Sequence, residues 1–302
     1  IVIGSNKVEI RSIKTNLSLK ALFLDKFSVD DLQISTKPIM LKDMVLLTRS
    51  FNNSTELFLL NKFIKGGFLV ANIKLKFDEN GKIKKDYQIN GFIKNGKLNF
   101  LNQLNANNLN FNFDINNQKY SLTKINTKIN DIQFSSPLIE INEKKDLFSI
   151  KGRVLTEEKI FNKDQLKNMF TGFIKNSNIE KARFSSKNDI SFDVSKKLKF
   201  KNLNIKSKIN LDKLIIKNDL IDLKPYIPNL DKLINFENQE ITIDYNKDKF
   251  DIKGNGKILI KDKFDYINYE LIKKNDKFIF NTKANLKNAK LLIDFLDYEK
   301  KE

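Results

Sequence analysis

Alternation of apolar and polar residues with a period of two runs through most of the 302 residues, and it leaves the chain few options other than β-sheet. Successive side chains of a strand leave opposite faces, so the rhythm describes strands with one dry and one wet side. It is clearest from Ser191 to Ile216, where Phe192 and Val194, Leu198 and Phe200, Leu203 and Ile205, Ile209 and Leu211, then Leu214 and Ile216 repeat it. Asp193, Lys199, Lys201, Asn204, Lys206, Asn210 and Lys213 lie between or beside them. So much strand with so little helix predicts a mainly β fold. The expected form is an elongated, curved antiparallel sheet with a few short amphipathic helices and one very large apolar surface. What covers that surface is the functional question.

The same reading extends to both sides of this stretch. Short alternating runs mark candidate strands at Val8 and Ile10, Leu17 and Leu19, Phe27 and Val29, and Leu32 and Ile34. Helical spacing then takes over. After Pro38, residues Met40, Met44, Leu47 and Phe51 form one stripe. Asn53 with Glu56 is a capping box for a second helix that buries Leu57, Leu60 and Ile64 and ends at Gly66-Gly67. A helical insertion is thus expected over 38–65. Strands return from Ala71, with a turn at Glu79-Asn80-Gly81 before Tyr87 and Ile89, and Asn95-Gly96 predicts a two-residue hairpin. Leu109, Phe111, Phe113 and Ile115 alternate up to Asn116-Asn117, and further strands are expected near Ile125–Ile132, Leu138–Ile141 and Phe148–Val154.

A second insertion is expected over 162–175, where Asn162 and Gln165 form a capping box ahead of Leu166, Met169, Phe170 and Phe173. Pro225 and Pro228 interrupt the sheet, because proline donates nothing to a ladder. A short helical turn carrying Leu230, Leu233 and Ile234 is expected over 228–236. The last strands run through Ile241, Ile243 and Tyr245, Phe250 and Ile252, Ile258 and Ile260, Tyr269 and Leu271, and Phe278 and Phe280, while 288–302 fits strand or frayed helix alike. No fixed repeat signature and no linker appear, so residues 1–302 read as a single β segment. The start at Ile1, already in strand-like sequence, reads as a piece of a longer chain.

Net charge is +18, yet only Arg11, Arg49, Arg153 and Arg183 among the 55 basic residues are arginine. Phosphate and base-edge recognition draws on the planar five-donor guanidinium, so a chain of isolated lysines argues against nucleic acid as a partner. Abundant Lys, Asn, Ile and Phe with scarce Ala, Arg and Gly is the mark of an AT-rich coding sequence, and the charge follows from that bias on the wet face. The chain has no Cys and no His, which removes disulfides, thiolate metal sites and imidazole chemistry.

Motifs for catalysis are missing as well. Gly254-Asn255-Gly256 lacks the third glycine and the following helix of a dinucleotide site, and no Gly-Lys-Ser/Thr ends a glycine run. The carboxylate pairs Asp30-Asp31, Glu157-Glu158 and Asp219/Asp222 fall where neighbours point to opposite faces or where acids favour a helix N-terminus. No calcium loop spacing occurs. The expectation is therefore a non-enzymatic chain with no cofactor and no metal.

Two destinations remain for the apolar stripe. A second sheet could close over it as an ordinary sandwich core. Alternatively the sheet curls into an open U-shaped trough whose wall faces acyl chains, which need no hydrogen bonds and so require only contiguous apolar residues. The wall candidates are Leu109, Phe111, Phe113, Phe192, Val194, Leu198, Phe200, Leu203, Ile205, Ile209, Leu211, Ile241, Ile243, Ile258 and Ile260.

The helical pair over Leu41 to Ile64 with Gly66-Gly67, the run Lys196-Lys197-Leu198-Lys199-Phe200-Lys201-Asn202-Leu203, and the block from Pro225-Tyr226-Ile227-Pro228 through Ile241-Thr242-Ile243-Asp244-Tyr245 to Gly254-Asn255-Gly256-Lys257-Ile258 resemble the AsmA-like superfamily of Gram-negative envelope proteins, the YhdP/TamB type. That resemblance implies a periplasmic β-groove anchored in the inner membrane by a helix preceding Ile1. It also implies phospholipid acyl chains in the groove, transfer between inner and outer membranes, and an outer-membrane partner. No catalytic residues come with it. The rival expectation is an assembly scaffold for envelope β-proteins whose strand edges receive clients by augmentation.

Overall fold

The computed structural model describes residues 2–3, 6–7, 9–18, 23, 29–51, 55–100, 104–130, 132–145, 147–169, 179–196, 199–217, 225–228, 231–274 and 277–301. In chain order the strands are β1 (Val2–Ile3), β2 (Asn6–Lys7), β3 (Ile10–Leu17), β4 (Val29–Thr36), β5 (Ile39–Met40), β6 (Ile64–Lys76), β7 (Gln88–Phe100), β8 (Leu104–Asn116), β9 (Lys119–Ile129) and β10 (Ile132–Lys144). There follow β11 (Leu147–Asn162), β12 (Ile179–Ser195), β13 (Phe200–Lys217), β14 (Leu233–Asn246), β15 (Lys249–Ile260), β16 (Lys263–Lys274), β17 (Lys277–Asn285), β18 (Leu291–Ile293) and β19 (Tyr298–Lys300). The helices are α1 (Leu41–Phe51), α2 (Thr55–Phe63) and α3 (Lys163–Met169).

The mainly β expectation holds. Fifteen strands form one large antiparallel sheet that does not close, in the order β17-β16-β15-β14-β13-β12-β11-β10-β9-β8-β7-β6-β4-β3, with β5 also on β6. By contacts the chain divides into two compact units, Ile1–Val154 with Ser191–Lys201 and Leu155–Ile190 with Asn202–Glu302.

One expected turn and one expected helix end are in fact irregularities inside long strands. Asn95-Gly96 joins no hairpin: it lies within β7, where Asn95 has φ 53° and the register with β8 shifts on both sides of Gly96. Gly66-Gly67 caps no helix either. Both glycines lie in β6, and Gly67 has φ +116°, a left-handed backbone that glycine adopts without a Cβ clash. A Cβ there would stand 2.7 Å from the Gly96 Cα, so the two irregularities face each other across β6 and β7. The line continues through Asn108 (φ 53°) in β8 and Lys124 (φ 52°) in β9, where the register shifts again.

Each bulge adds one residue and so reverses which face the following residues occupy. In β7 the apolar positions change from Ile89 and Ile93 to Leu98; in β8 they change from Ala106 to Leu109, Phe111, Phe113 and Ile115. Without the bulges these residues would divide between the two faces. The cross-strand pairs Ile89↔Ile115, Ile93↔Phe111, Phe113↔Leu122 and Leu122↔Ile139 instead keep them on one side.

The second unit repeats the device. Between β14 and β15 the pairing is Phe236↔Ile258 before Asn238 (φ 50°) and Ile241↔Gly254, Ile243↔Ile252 and Tyr245↔Phe250 after it, with one residue gained on β14. Asn202 has the same left-handed backbone (φ 53°) early in β13, its carbonyl accepting a 2.9 Å hydrogen bond from Asn204 Nδ2. Asn108 and Asn110 make the equivalent contact at 2.7 Å.

The remaining departures have local causes. Met40 belongs to β5, paired with Phe68 and 49% exposed, so it leaves the expected helical stripe, and α1 packs through buried Leu41 and half-buried Met44 and Val45. The chain passes from α2 directly into β6 at Ile64, and Leu60 is exposed. Leu233 and Ile234 open β14 and form no helical turn over 228–236. Ile125–Ile132 is no single strand, since β9 ends at Ile129 and β10 begins at Ile132.

The 288–302 segment holds the β18–β19 ladder around a single 3-10 turn at Asp294–Leu296. The Asn162–Gln165 box forms as expected: the Gln165 amide donates to Asn162 Oδ1 at 3.0 Å and the Asn162 amide to Gln165 Oε1 at 3.1 Å. Val8, Leu19, Phe27, Asn53, Phe170, Phe173, Leu198, Asp219, Asp222 and Leu230 lie outside the described residues.

Candidate functional site

Cross-strand pairing in the second unit assembles one apolar face. From β13 come Ile205, Ile209 and Leu211, from β14 Ile241, Ile243 and Tyr245, and from β15 Phe250, Ile252, Ile258 and Ile260. Ile267, Tyr269 and Leu271 of β16 and Phe278 and Phe280 of β17 complete it. At one end of this face, Phe250 meets Tyr245 edge-on at 6.2 Å and Phe278 at 5.5 Å between ring centroids.

Cover is uneven. Ile258 and Ile260, both expected on the wall, are sealed by the chain's own later segment in a cluster with Ala289, against which Ile227, Ile234, Phe236, Ile267 and Leu286 pack. Asp265 fastens that segment. This carboxylate, 2% exposed, accepts hydrogen bonds from the Lys287 amide at 3.1 Å, the Asn288 amide at 3.1 Å and Asn288 Nδ2 at 2.8 Å. Lys300 Nζ donates to the Lys287 and Ala289 carbonyls, and the Leu292 amide to the Tyr226 carbonyl. Towards the other end the face is open: Ile205, Ile209, Ile241 and Ile243 are half-buried, and Phe278 and Phe280 are 62% and 61% exposed.

In the first unit Leu109, Phe111 and Phe113 share a face and are half-buried, with Phe111 and Phe113 in edge contact at 6.5 Å. Helix α1 packs onto part of it through Leu41, Met44 and Val45, which meet Leu69, Ile93, Leu98 and Phe113. Phe192 stacks at 5.6 Å on Phe200, which is 72% exposed, and Val194 is buried. In the second unit Leu203 is partly exposed and Leu211 buried. The partial covers were not foreseen, because a strap of mixed composition carries no period-two signal.

Two glycines let aromatic rings lie flat on the sheet. Gly91 pairs with Phe113 and Gly254 with Tyr269; a Cβ on Gly254 would fall 2.1 Å from the Tyr269 ring. The glycine pair weighed above as a nucleotide motif is thus seating for rings, with the Gln239 amide over Gly256. Burial raises the Tyr269 phenol to about 12; burial, then its 3.1 Å hydrogen bond to Glu143, raises Tyr120 to about 12.

Both folded-state values lie above the ordinary phenol value near 10. Their contribution to stability is therefore complete below about pH 10 and lost as pH rises towards about 12. Phenolate absorbance during alkaline titration should show these two groups ionising together with unfolding, and Tyr269→Phe should remove one of them from the transition.

The opposite face is polar. Lys249 pairs with Asp244 at 2.6 Å and Lys253 with Glu270 at 3.0 Å, and these hydrogen bonds hold Asp244 and Glu270 below the usual carboxylate range. Such exposed pairs stabilise little. A shallow concavity of about 460 Å³ crosses this face of β14–β17. Among the described residues no cluster of acidic, His or Cys side chains is arranged to hold a metal ion, and no helix is long and apolar enough to cross a membrane. Comparison with known proteins finds no matching family model, no matching curated protein and no matching solved structure.

Proposed function

We propose that this chain handles lipid, with acyl chains lying on the apolar face of the sheet. One observation carries the reading. Ile205, Ile209, Ile241 and Ile243 remain half-exposed on a sheet that, among the described residues, has no second sheet packed over them, and Phe278 and Phe280 are mostly exposed beside them. Soluble proteins rarely leave contiguous apolar surface of this kind without a partner for it. An acyl chain fits because the face offers no polar group to satisfy along Ile241, Ile243, Ile252 and Leu271. Joined to the resemblance described above, the reading makes the chain a non-enzymatic component of a bacterial envelope that passes phospholipid between membranes.

Native mass spectrometry of the purified protein should find bound phospholipid. Ile209→Asp and Ile243→Asp should each reduce it by about tenfold, since a carboxylate among hydrocarbon is costly. Lys208→Asp, on the polar face, should leave it unchanged. Equal losses from both faces would overturn the reading.

A second reading, strand augmentation, draws on β17. All nine of its residues are exposed, its register with β16 has no bulge, and it ends the sheet's hydrogen-bonded order. Edges this regular are usually protected. Photocrosslinkers at Ile243 and Phe280 separate the two: adducts with lipid favour the first, adducts with polypeptide the second.

A further inference from the structure

We propose that the polar face of β14–β17 binds a neutral glycan, at a site independent of the apolar face behind it. The concavity there is lined by two transverse rows of side chains. One row runs Glu240, Asn255, Asn268, Lys283 and the other Thr242, Lys253, Glu270, Asn281, each built from directly paired residues on four neighbouring strands. The two rows differ in what they leave free. Lys253 and Glu270 neutralise each other at 3.0 Å, while among the described residues the side chains of Glu240, Asn255, Asn268 and Lys283 are committed to no hydrogen bond or ion pair.

An uncommitted carboxylate, two amides and an ammonium in sequence present acceptors and donors together. Vicinal hydroxyl groups, each both donor and acceptor, are the ligand chemistry that matches such a row. Four strands at about 4.8 Å spacing extend it over roughly 14 Å, room for a short run of sugar rings.

Charge narrows the class. Although the chain carries +18, this trough holds two glutamates and two lysines and is locally neutral. It therefore offers no attraction for a polyanion, and a neutral ligand loses no Coulombic interaction on entering. An aromatic platform borders it on the same face: Tyr266, paired with Lys257 and two residues before Asn268, is 58% exposed, and Phe264 beyond it is 39% exposed under the Lys257 ammonium. Exposed rings beside amides on the wet side of a sheet need explanation, and an amphipathic tyrosine face suits the apolar C–H side of a pyranose while its hydroxyl stays wet.

Affinity electrophoresis of the full chain through gels containing dextran, xylan, galactomannan or mixed-linkage β-glucan tests this. At least one neutral polymer should retard the protein, and Tyr266→Ala and the double variant Asn255→Ala/Asn268→Ala should each weaken retardation by about fivefold or more. Phe280→Ala, on the opposite face, should not. These side chains are exposed, so thermal melts of the variants should match the parent. Absence of retardation by every neutral polymer, or equal retardation of all variants, overturns the proposal. Retardation by polygalacturonate alone also overturns it, because that would report the chain's net charge.

Discussion

Deletion of Asn238 is expected to unfold the sheet of the second unit. This single left-handed residue is the extra one on β14, and it allows Phe236 before it and Ile241, Ile243 and Tyr245 after it to face the same side. Removing it slips the strand by one position and turns one of those sets to the polar face. Ile241, Ile243 and Tyr245 are half-buried, so turning them into water costs about half of the 1.5–3 kcal/mol of full burial each, and the broken hydrogen bonds of the slipped ladder add about 0.5–1.5 kcal/mol apiece; together the loss is on the order of 5 kcal/mol. That rivals the whole stability of a marginal domain. Circular dichroism melts should show a protein without a cooperative transition. Asn238→Gly, which keeps the residue count and tolerates φ near +50°, should melt within about 1 kcal/mol of the parent. A deletion variant that melts like the parent would refute the role given to the bulges.

Asp265→Ala carries the second largest expected effect. The side chain is buried at the centre of the strap formed by residues 286–300 and receives three N–H donors from Lys287 and Asn288. Truncation strands those donors in a site that excludes water, at a cost of about 3–5 kcal/mol. The strap should detach before the sheet melts, because the Lys300 bonds lie within the strap itself, the Leu292 amide reaches the Tyr226 carbonyl, and Asp265 together with the 3.1 Å bond from Asn288 Nδ2 to the Phe264 carbonyl fastens it to β16. Hydrogen exchange should then lose protection at Lys287, Asn288 and Leu292, and Ile258 and Ile260 should become accessible. Asp265→Asn keeps one acceptor oxygen and should lie between parent and alanine variant. Unchanged exchange at those amides would show that the strap is held by packing alone.

Much of this architecture could be read from residue order. The period-two rhythm announced strands, and the capping box at Asn162 announced α3. What misled at Asn95-Gly96 was reading a break in rhythm as a turn. Ile93 to Leu98 skips a beat, as does Phe236 to Ile241, and in both the skip is the signature of a bulge within one strand. Asn-Gly at 95–96 serves a hairpin and a bulge equally well, since both require a left-handed residue, and only pairing with β6 and β8 decides between them.

The Ile205, Ile209, Leu211, Ile241, Ile243, Ile258 and Ile260 part of the candidate wall shares one face because the pairing of β13 to β15 holds these residues in register. The covers of the wall were not legible in residue order. Leu41 and Met44 on α1, and Ala289 under the strap, reach the sheet through tertiary packing that no local pattern encodes. The polar trough was equally hidden, being four unremarkable strands whose asparagines line up only once the registers are known.

Among the described residues, six of the ten non-glycine residues with positive φ are asparagines, in a chain that has only 10 glycines. Asparagine is the side chain that best tolerates that backbone, and its codons survive where those of glycine are eroded. An asparagine at such a position can therefore hold a kink in a strand where glycine would otherwise be called for.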